Sequence, residues 1–570
     1  MSQKKRSWFI LTLAGFACLA NISFAQVSQA ANSHSSSTPI TIGIPGSLTG
    51  PLLPYRSPSA TWHGIIHQQF APLLHLGANF QVEPEIVSRW WYSSDGKKLY
   101  MDIAKNAVWS DGQPVTPADV QLSINYLASP YYNNVVLGNE GFRVLPIVGS
   151  LAVMHGATQT VSGFHIVNDH EFYLSLKNTN PSILTQDIQG IVPLPAHLLN
   201  GIKMTDWGSS AFFKNPTVGD GPYLLQRRVA GALVFHANPR FVLGAPHIPL
   251  MQYTSVSTQA LTGLFRAGAI DVFSGLNTAQ ANTLASFAQI AATPKDEFVF
   301  LGWNDQQPGA SNSAFRQAVL YSIDRDKLIK DMLSGYAVVQ NGPLPVTSVY
   351  YDPKLTNQYP YNPQTARNIL QKAGFYIGGH SWLVTPDGGS LHVVINYAAG
   401  DASLQAVAAQ IVQDLQNIGV DAVLHGPLSV AQMVQAMQAN QAGTLQGYLM
   451  GWQLGADPLP SELWLPSSEL NRATINWTDT NLPGVQSNEM LIQEQQTVAA
   501  QNTAYRTTVL RQWQELVSQE APAEFLYDPD LLGAVSHRLQ GVVWSGLYGP
   551  IETWKWSLNI AVGTENATGS

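Results

Sequence analysis

His63 and His67 stand one helical turn apart in Trp62-His63-Gly64-Ile65-Ile66-His67, a spacing that sets two imidazoles on one helix face. Two such nitrogens can share a metal ion, but a structural zinc site takes four ligands, and neither Glu nor Cys stands at a matching spacing. They are therefore read as surface or interdomain histidines, and no metal or other cofactor is assigned. Isolated acids such as Glu462 or Glu524 could pair as the two carboxylates of a secreted glycoside hydrolase, and fifteen Trp with many Tyr suit sugar stacking. Other catalytic signals are missing: there is no Gly-x-Ser-x-Gly elbow, phosphate loop or paired-His zincin motif. The remaining chemistry is that of holding a solute. In Gly451-Trp452-Gln453-Leu454-Gly455-Ala456-Asp457-Pro458, an indole able to wall an amphipathic cleft precedes a carboxylate. Trp303 and Asn304 end an apolar run and offer a stacking face and an amide. Tyr397 ends another run, and Tyr55 follows the first strand together with Ser47-Leu48-Thr49.

The elements that must carry these groups can be read from turn and cap chemistry. Asp95-Gly96 and Asp111-Gly112 are tight-turn dipeptides, and between them Leu99, Met101 and Ile103 alternate with Tyr100 and Asp102 as in a half-buried strand. Thr116 caps a helix, Pro117 opens it and Asp119 sits where a capping-box acid reaches back. Asn362-Pro363 and Gly374 bracket a further helix, whose apolar face is Ala366, Ile369, Leu370 and Ala373. A strand over 391–397, a helix stripe from Leu404 to Ile418 and a strand over 420–424 make a βαβ-like unit.

At 570 residues the chain exceeds a single core, so two or three lobes are expected. Only 12% of residues are charged, a surface chemistry suited to an acidic exterior, where carboxylates would lose their charge and their pair energies. The N-terminus carries Lys4-Lys5-Arg6, an apolar run from Trp8 to about Ala20, and small residues at Ser23, Ala25, Ser28 and Ala30. This is a secretory signal pattern, with an apolar run too short to span a bilayer. Cleavage after Ala25 or Ala30 would leave 26 basic residues against 37 acidic ones, taking the formal net charge from −8 to −11. A basic nucleic-acid or anionic-membrane surface is thereby excluded. Cys18 is the sole cysteine, which rules out disulfides, and the box Gly15-Phe16-Ala17-Cys18 is a poor match to a lipid-anchor site. Residues 32–38, rich in Ser, read as a flexible mature N-terminus.

Trp90-Trp91-Tyr92-Ser93-Ser94-Asp95-Gly96 through Val108-Trp109-Ser110-Asp111-Gly112, then Gly219-Asp220-Gly221-Pro222-Tyr223, Phe315-Arg316-Gln317-Ala318-Val319 with Ser322-Ile323-Asp324-Arg325, and Asn362-Pro363 through Gly374 follow one another in order. This string resembles the family 5, oligopeptide and dipeptide type, of extracytoplasmic solute-binding proteins of ABC importers, over about residues 40 to 560. The resemblance implies an α/β, type II periplasmic-binding-protein-like bilobal fold (cluster C) with a small domain inserted in the first lobe. The implied segments are 1–30 signal peptide, 31–80 lobe I, 81–204 inserted domain, 205–300 lobe I, 301–524 lobe II and 525–570 lobe I, with lobe crossings near 300 and 525. It implies no enzymatic activity. The expected partners are a small peptide or similar polar solute and the ABC permease subunits, with a monomer in the periplasm or on the outer face of the membrane. A nickel or other metal complex and an oligosaccharide are alternative cargoes on the same fold. The implied ligand-binding residues are Trp452, Asp457, Trp303, Asn304, Tyr397, Tyr55 and Gly455. The family loop carries an acid for the ligand's ammonium where this chain has Gly455, and Asp457 is the residue that could shift to replace it.

Overall fold

Ala523–Val535 is a thirteen-residue strand that changes partners along its length. Its first half pairs antiparallel with Glu297–Trp303 and with Ala337–Val339. Its second half pairs with Val272–Leu276 and with Gln289–Pro294. The chain is a computed structural model describing residues 38–56, 60–379, 381–438, 447–458 and 460–559. The signal segment, Cys18 and most of the Ser-rich stretch after it lie outside those residues. The fold is the bilobal α/β one, its two lobes joined through one twelve-stranded sheet. We place the lobe boundaries where the long strand changes partners, at 529–530, and at the short link 295–296, whose Lys295 N–H donates to the Pro529 carbonyl. With this placement the apolar strand Glu297–Trp303 pairs wholly within lobe II.

In lobe I, Ile40–Ile44 runs parallel to Leu250–Ser255 and Val272–Leu276, and an antiparallel meander of Tyr223–Val229, Ala232–Ala237 and Leu250–Ser255 forms the outer edge. All five residues of the first strand are buried, as a central parallel strand covered on both faces requires. The inserted domain has a four-stranded sheet in the order Val87–Tyr92, Lys98–Ile103, Glu171–Ser175, Phe164–Ile166. Its tightest turn uses Gly96 at φ 66°, in the left-handed region glycine favours. The helix Pro117–Ala128 has the expected reciprocal cap, in which the Asp119 carboxylate accepts from the Thr116 N–H and from its hydroxyl. The other Asp119 oxygen accepts from the Ala196 N–H, which ties the helix start to the next segment.

In lobe II, His392–Ala398 is parallel to Asp421–Leu428 and to Gly447–Gln453, with helix Ala402–Asn417 between the first two. The strand Glu297–Trp303 is buried on both sides, so its alternation divides two cores. Val299, Leu301 and Trp303 join the aliphatic cluster under the helices, while Phe298 and Phe300 enter an aromatic cluster with Trp464, Trp477 and Trp513. The inserted domain instead shares a continuous core with lobe I, which carries a second, smaller cluster around Phe265, Phe273 and Leu284.

Candidate binding site

A cavity of about 450 Å³ opens at the carboxyl ends of the parallel strands Ile40–Ile44 and Val272–Leu276, where open α/β sheets bind ligands. Its size falls within the range of small-molecule sites. Helix Ala60–Gln69 presents His63, His67 and Gln68 to it. Glu85 and Gln189 arrive from the inserted domain, and the run 547–556 brings Tyr548, Glu552 and Trp554. The Gln68 side-chain carbonyl accepts from the Thr553 hydroxyl at 2.7 Å, which fixes the C-terminal run to the helix. The His63 and His67 rings lie 4.0 Å apart. Burial lowers the proton affinity of both imidazoles, and at His67 the neighbouring His63 adds to it. The cavity thus has an apolar body, amide and hydroxyl groups, a neutral imidazole pair, and the carboxylates of Glu85 and Glu552 beside His75.

Sequence reasoning placed the binding chemistry elsewhere, and none of its seven residues lines this cavity. Asp457 is buried and fully engaged. One carboxylate oxygen accepts from Arg506 Nη2 at 2.6 Å and from the Ser182 hydroxyl at 2.8 Å. The other accepts from Arg506 Nη1 at 2.7 Å and from the Thr185 hydroxyl at 2.8 Å. Arg506 lies on helix Thr503–Glu520 of lobe II and stacks over the Tyr350 ring, whereas Ser182 and Thr185 belong to the inserted domain. Asp457 therefore joins lobe II to the inserted domain, and its expected availability to a ligand ammonium is corrected: the guanidinium already fills that role.

Trp303 is 1% exposed and packs edge-on against Phe315, because odd positions of its strand point under the helices. Tyr397 joins the same core. The Asn304 amide oxygen accepts from Asn476 Nδ2 and from the Gln306 N–H, so it organises a lobe II loop. Tyr55 adopts φ 66°, and its hydroxyl both donates to and accepts from the Val192 backbone at 2.7 Å, locking lobe I to the inserted domain. These four are enclosed by packing or by hydrogen bonds and do not face the cavity. Trp452 is half-buried against the aromatic core of lobe II, and Gly455 is exposed, with space for a side chain around it. Glu524 is fully buried in lobe II, where burial pushes its carboxyl well above the usual range. It is no cleft-facing glycosidase acid. Tyr548, Glu552 and Trp554 were missed, since the C-terminal run carries no motif. Glu85 had one weak signal, the alternation of Glu83 and Glu85 about Pro84.

Two α/β lobes on a shared sheet, with a concave site at strand ends and an inserted domain meeting the far lobe, define a bilobal solute-binding protein. Residues 81–473 match the bacterial extracellular solute-binding proteins, family 5, and the chain belongs to that family. The oligopeptide-binding protein AppA of Bacillus subtilis is 21% identical, with 78% of each chain covered. The nickel-binding periplasmic protein of Escherichia coli is 23% identical, over 72% of this chain and 74% of its own length. Among solved structures, the unliganded open form of the periplasmic murein tripeptide-binding protein MppA superposes with a TM-score of 0.77 at 17% identity, covering 92% of this chain and 98% of that one. These relatives are named as binding proteins, and none of the three is named as an enzyme. Among the described residues no helix is long and apolar enough to cross a membrane.

Proposed function

We propose that the chain is the receptor of an ABC importer for a short peptide or similarly sized polar organic solute, held in the cavity at the strand ends and gripped without reliance on a free α-ammonium group. The observation that carries this reading is the Asp457–Arg506 pair, which consumes the one acid of the 451–458 loop. An ammonium placed there would leave a buried guanidinium unpaired, at a cost of about 3–5 kcal/mol. The carboxylates that line the cavity are also engaged, Glu85 with His75 and Glu552 with His75 and Lys555, so recognition then rests on the aromatic and amide groups of the cavity and on main-chain contacts. Delivery to the permease follows from the family, with ATP hydrolysed by partner subunits, and we assign the chain no catalysis of its own. Its place is outside the cytoplasmic membrane, as the family and the signal pattern suggest.

The test is a thermal-shift screen with di- to pentapeptides, each with a free and an acetylated N-terminus, alongside oligosaccharides and nickel chelates, in buffer containing EDTA except for the chelates. Ligand that binds only the folded chain raises Tm. Free and acetylated forms of a peptide hit should differ in Kd by less than about tenfold. A loss of a hundredfold or more on acetylation would overturn the proposal. A second reading, a chelated metal as cargo, is favoured by the paired imidazoles of His63 and His67 in the cavity wall. It calls for a nickel-chelate hit in the same screen.

A further inference from the structure

We propose that His75, Glu83 and Glu552 form a coordination site for a first-row divalent transition ion, with Glu85 as the outer carboxylate that orients the imidazole. His75 and Glu83 face each other directly across the hairpin of Leu74–Leu76 and Val82–Pro84. Glu552 is brought to them by the C-terminal run, and one ligand atom from each of the three lies within 4.8 Å of the others.

The distances at Nε2 suit an ion better than hydrogen bonds. His75 Nε2 stands 3.5 Å from Glu83 Oε2 and 3.6 Å from Glu552 Oε1, and this nitrogen is buried without a hydrogen-bond partner. Ligands about 2.0–2.2 Å from a tetrahedral ion are separated by edges of about 3.3–3.6 Å. The other nitrogen, Nδ1, lies 3.1 Å from Glu85 Oε2, and that carboxylate is 3% exposed. This is the carboxylate–histidine arrangement that fixes ring orientation around bound metals. Trp554 packs edge-on against the ring at 5.5 Å and limits its rotation.

Two backbone features hold the carboxylates in place. A Cβ at Gly77 would stand 2.5 Å from Glu83 Oε1, so the missing side chain makes the cradle in which Glu83 rests. Glu552 adopts φ 54° and ψ 45°, a left-handed conformation disfavoured for a non-glycine residue. Lys555 Nζ sits 2.9 Å from Glu552 Oε1 and is the group an ion must displace. Its side chain is half-exposed and can turn to solvent. His75 and Glu552 also line the cavity, so a fourth coordination position would face it. The ion would staple the entry hairpin to the C-terminal run, and the site is independent of which cargo the cavity holds.

Zinc titration by calorimetry of the full chain, stripped with EDTA and desalted, tests this. One Zn²⁺ per chain is expected, and Co²⁺ should give the visible d–d bands of a low-symmetry site. His75→Gln and Glu552→Gln should weaken zinc binding by about a hundredfold or more, and Glu85→Gln by about 10–100-fold. The double change His63→Gln with His67→Gln should leave it in place. Should the buried variants fail to fold, Glu83→Gln alters a half-exposed side chain and should still lose at least about tenfold. No stoichiometric zinc, zinc retained in His75→Gln or Glu83→Gln, or zinc lost with the His63/His67 pair would each overturn the proposal. The peptide screen runs in EDTA, so the two readings fail separately.

Discussion

Replacing Asp305 by Asn should make the protein more stable at neutral and mildly alkaline pH, with little effect in acid. Asp305 is 5% exposed, neither carboxylate oxygen has a hydrogen-bond partner, and its nearest cation, Arg316, is 3.9 Å away and already donates to the Ala310, Glu520 and Ala521 carbonyls. Burial, partly offset by Arg316 and reinforced by Glu520, pushes the carboxyl from 3.8 to about 8. A tenfold change in proton affinity is worth about 1.36 kcal/mol, so the folded chain favours the protonated form by roughly 6 kcal/mol as an upper bound. The folded value is raised above the unfolded one. The stabilisation is therefore fully present below about 3.8 and is lost as pH rises through about 8. Asp187 (about 8), Asp296 (about 7) and Asp414 (about 6) are raised chiefly by burial, as are Glu524 and Asp528, and act with the same sign. Urea denaturation of wild type and Asp305→Asn at several pH values between about 4.5 and 8 measures the effect. Wild type should lose several kcal/mol over that range, and the variant should lose about 2–5 kcal/mol less. An unchanged slope, or a variant weakened most at high pH, would refute the argument.

Arg506→Ala should cost about 3–5 kcal/mol in denaturant unfolding, because it strands the buried Asp457 carboxylate with only two hydroxyl donors. Thr185→Val removes one of the hydroxyl contacts between the lobes. It should lower stability in urea by about 1 kcal/mol, the equivalent of one hydrogen bond, with little change in fold. Tyr55→Phe strands the Val192 N–H, whereas the Val192 carbonyl keeps the Ser123 hydroxyl as donor, and should lower stability by about 1–3 kcal/mol. Gly221→Ala would set a Cβ 2.3 Å from the Gln68 carbonyl oxygen, so expression as folded protein should fall sharply, as judged by circular dichroism and yield.

What the sequence revealed was local. Helices with their own stop and start signals, such as Pro363–Lys372 with its Asn362 cap accepting from the Thr365 N–H, are specified within a dozen residues, and the capping box at Thr116 is equally self-contained. The order of such units was enough for the family and the bilobal fold. The direction of a side chain is another matter. Trp303 and Phe300 differ only in parity along one strand, yet they enter opposite cores. Tyr397 likewise ends a strand but turns inward. Parity decides nothing when both faces of a sheet are covered, since neither face is marked by polarity. The cavity wall was harder still. His63 and His67 were visible as a pair, but Glu552 meets His75 across almost the full length of the chain, and only the closed topology of lobe I joins them.

The same reasoning explains why Asp457 was misread. An acid in a loop after a buried strand is marked by sequence as available, and its partner Arg506 lies 49 positions further on, on a helix with no motif of its own. Buried arginines are rare unless paired, so an Arg on the inward face of an amphipathic helix signals that buried acceptors await it: backbone carbonyls for Arg316 and Arg325, a carboxylate for Arg506. Arg506 follows the Asn502 cap by one turn and precedes Val509, Leu510 and Trp513, all buried. On that face its acceptors must be buried too, and Asp457, itself held by two hydroxyl donors, supplies them. An acid bound bidentately to a buried guanidinium cannot also receive an ammonium at comparable cost.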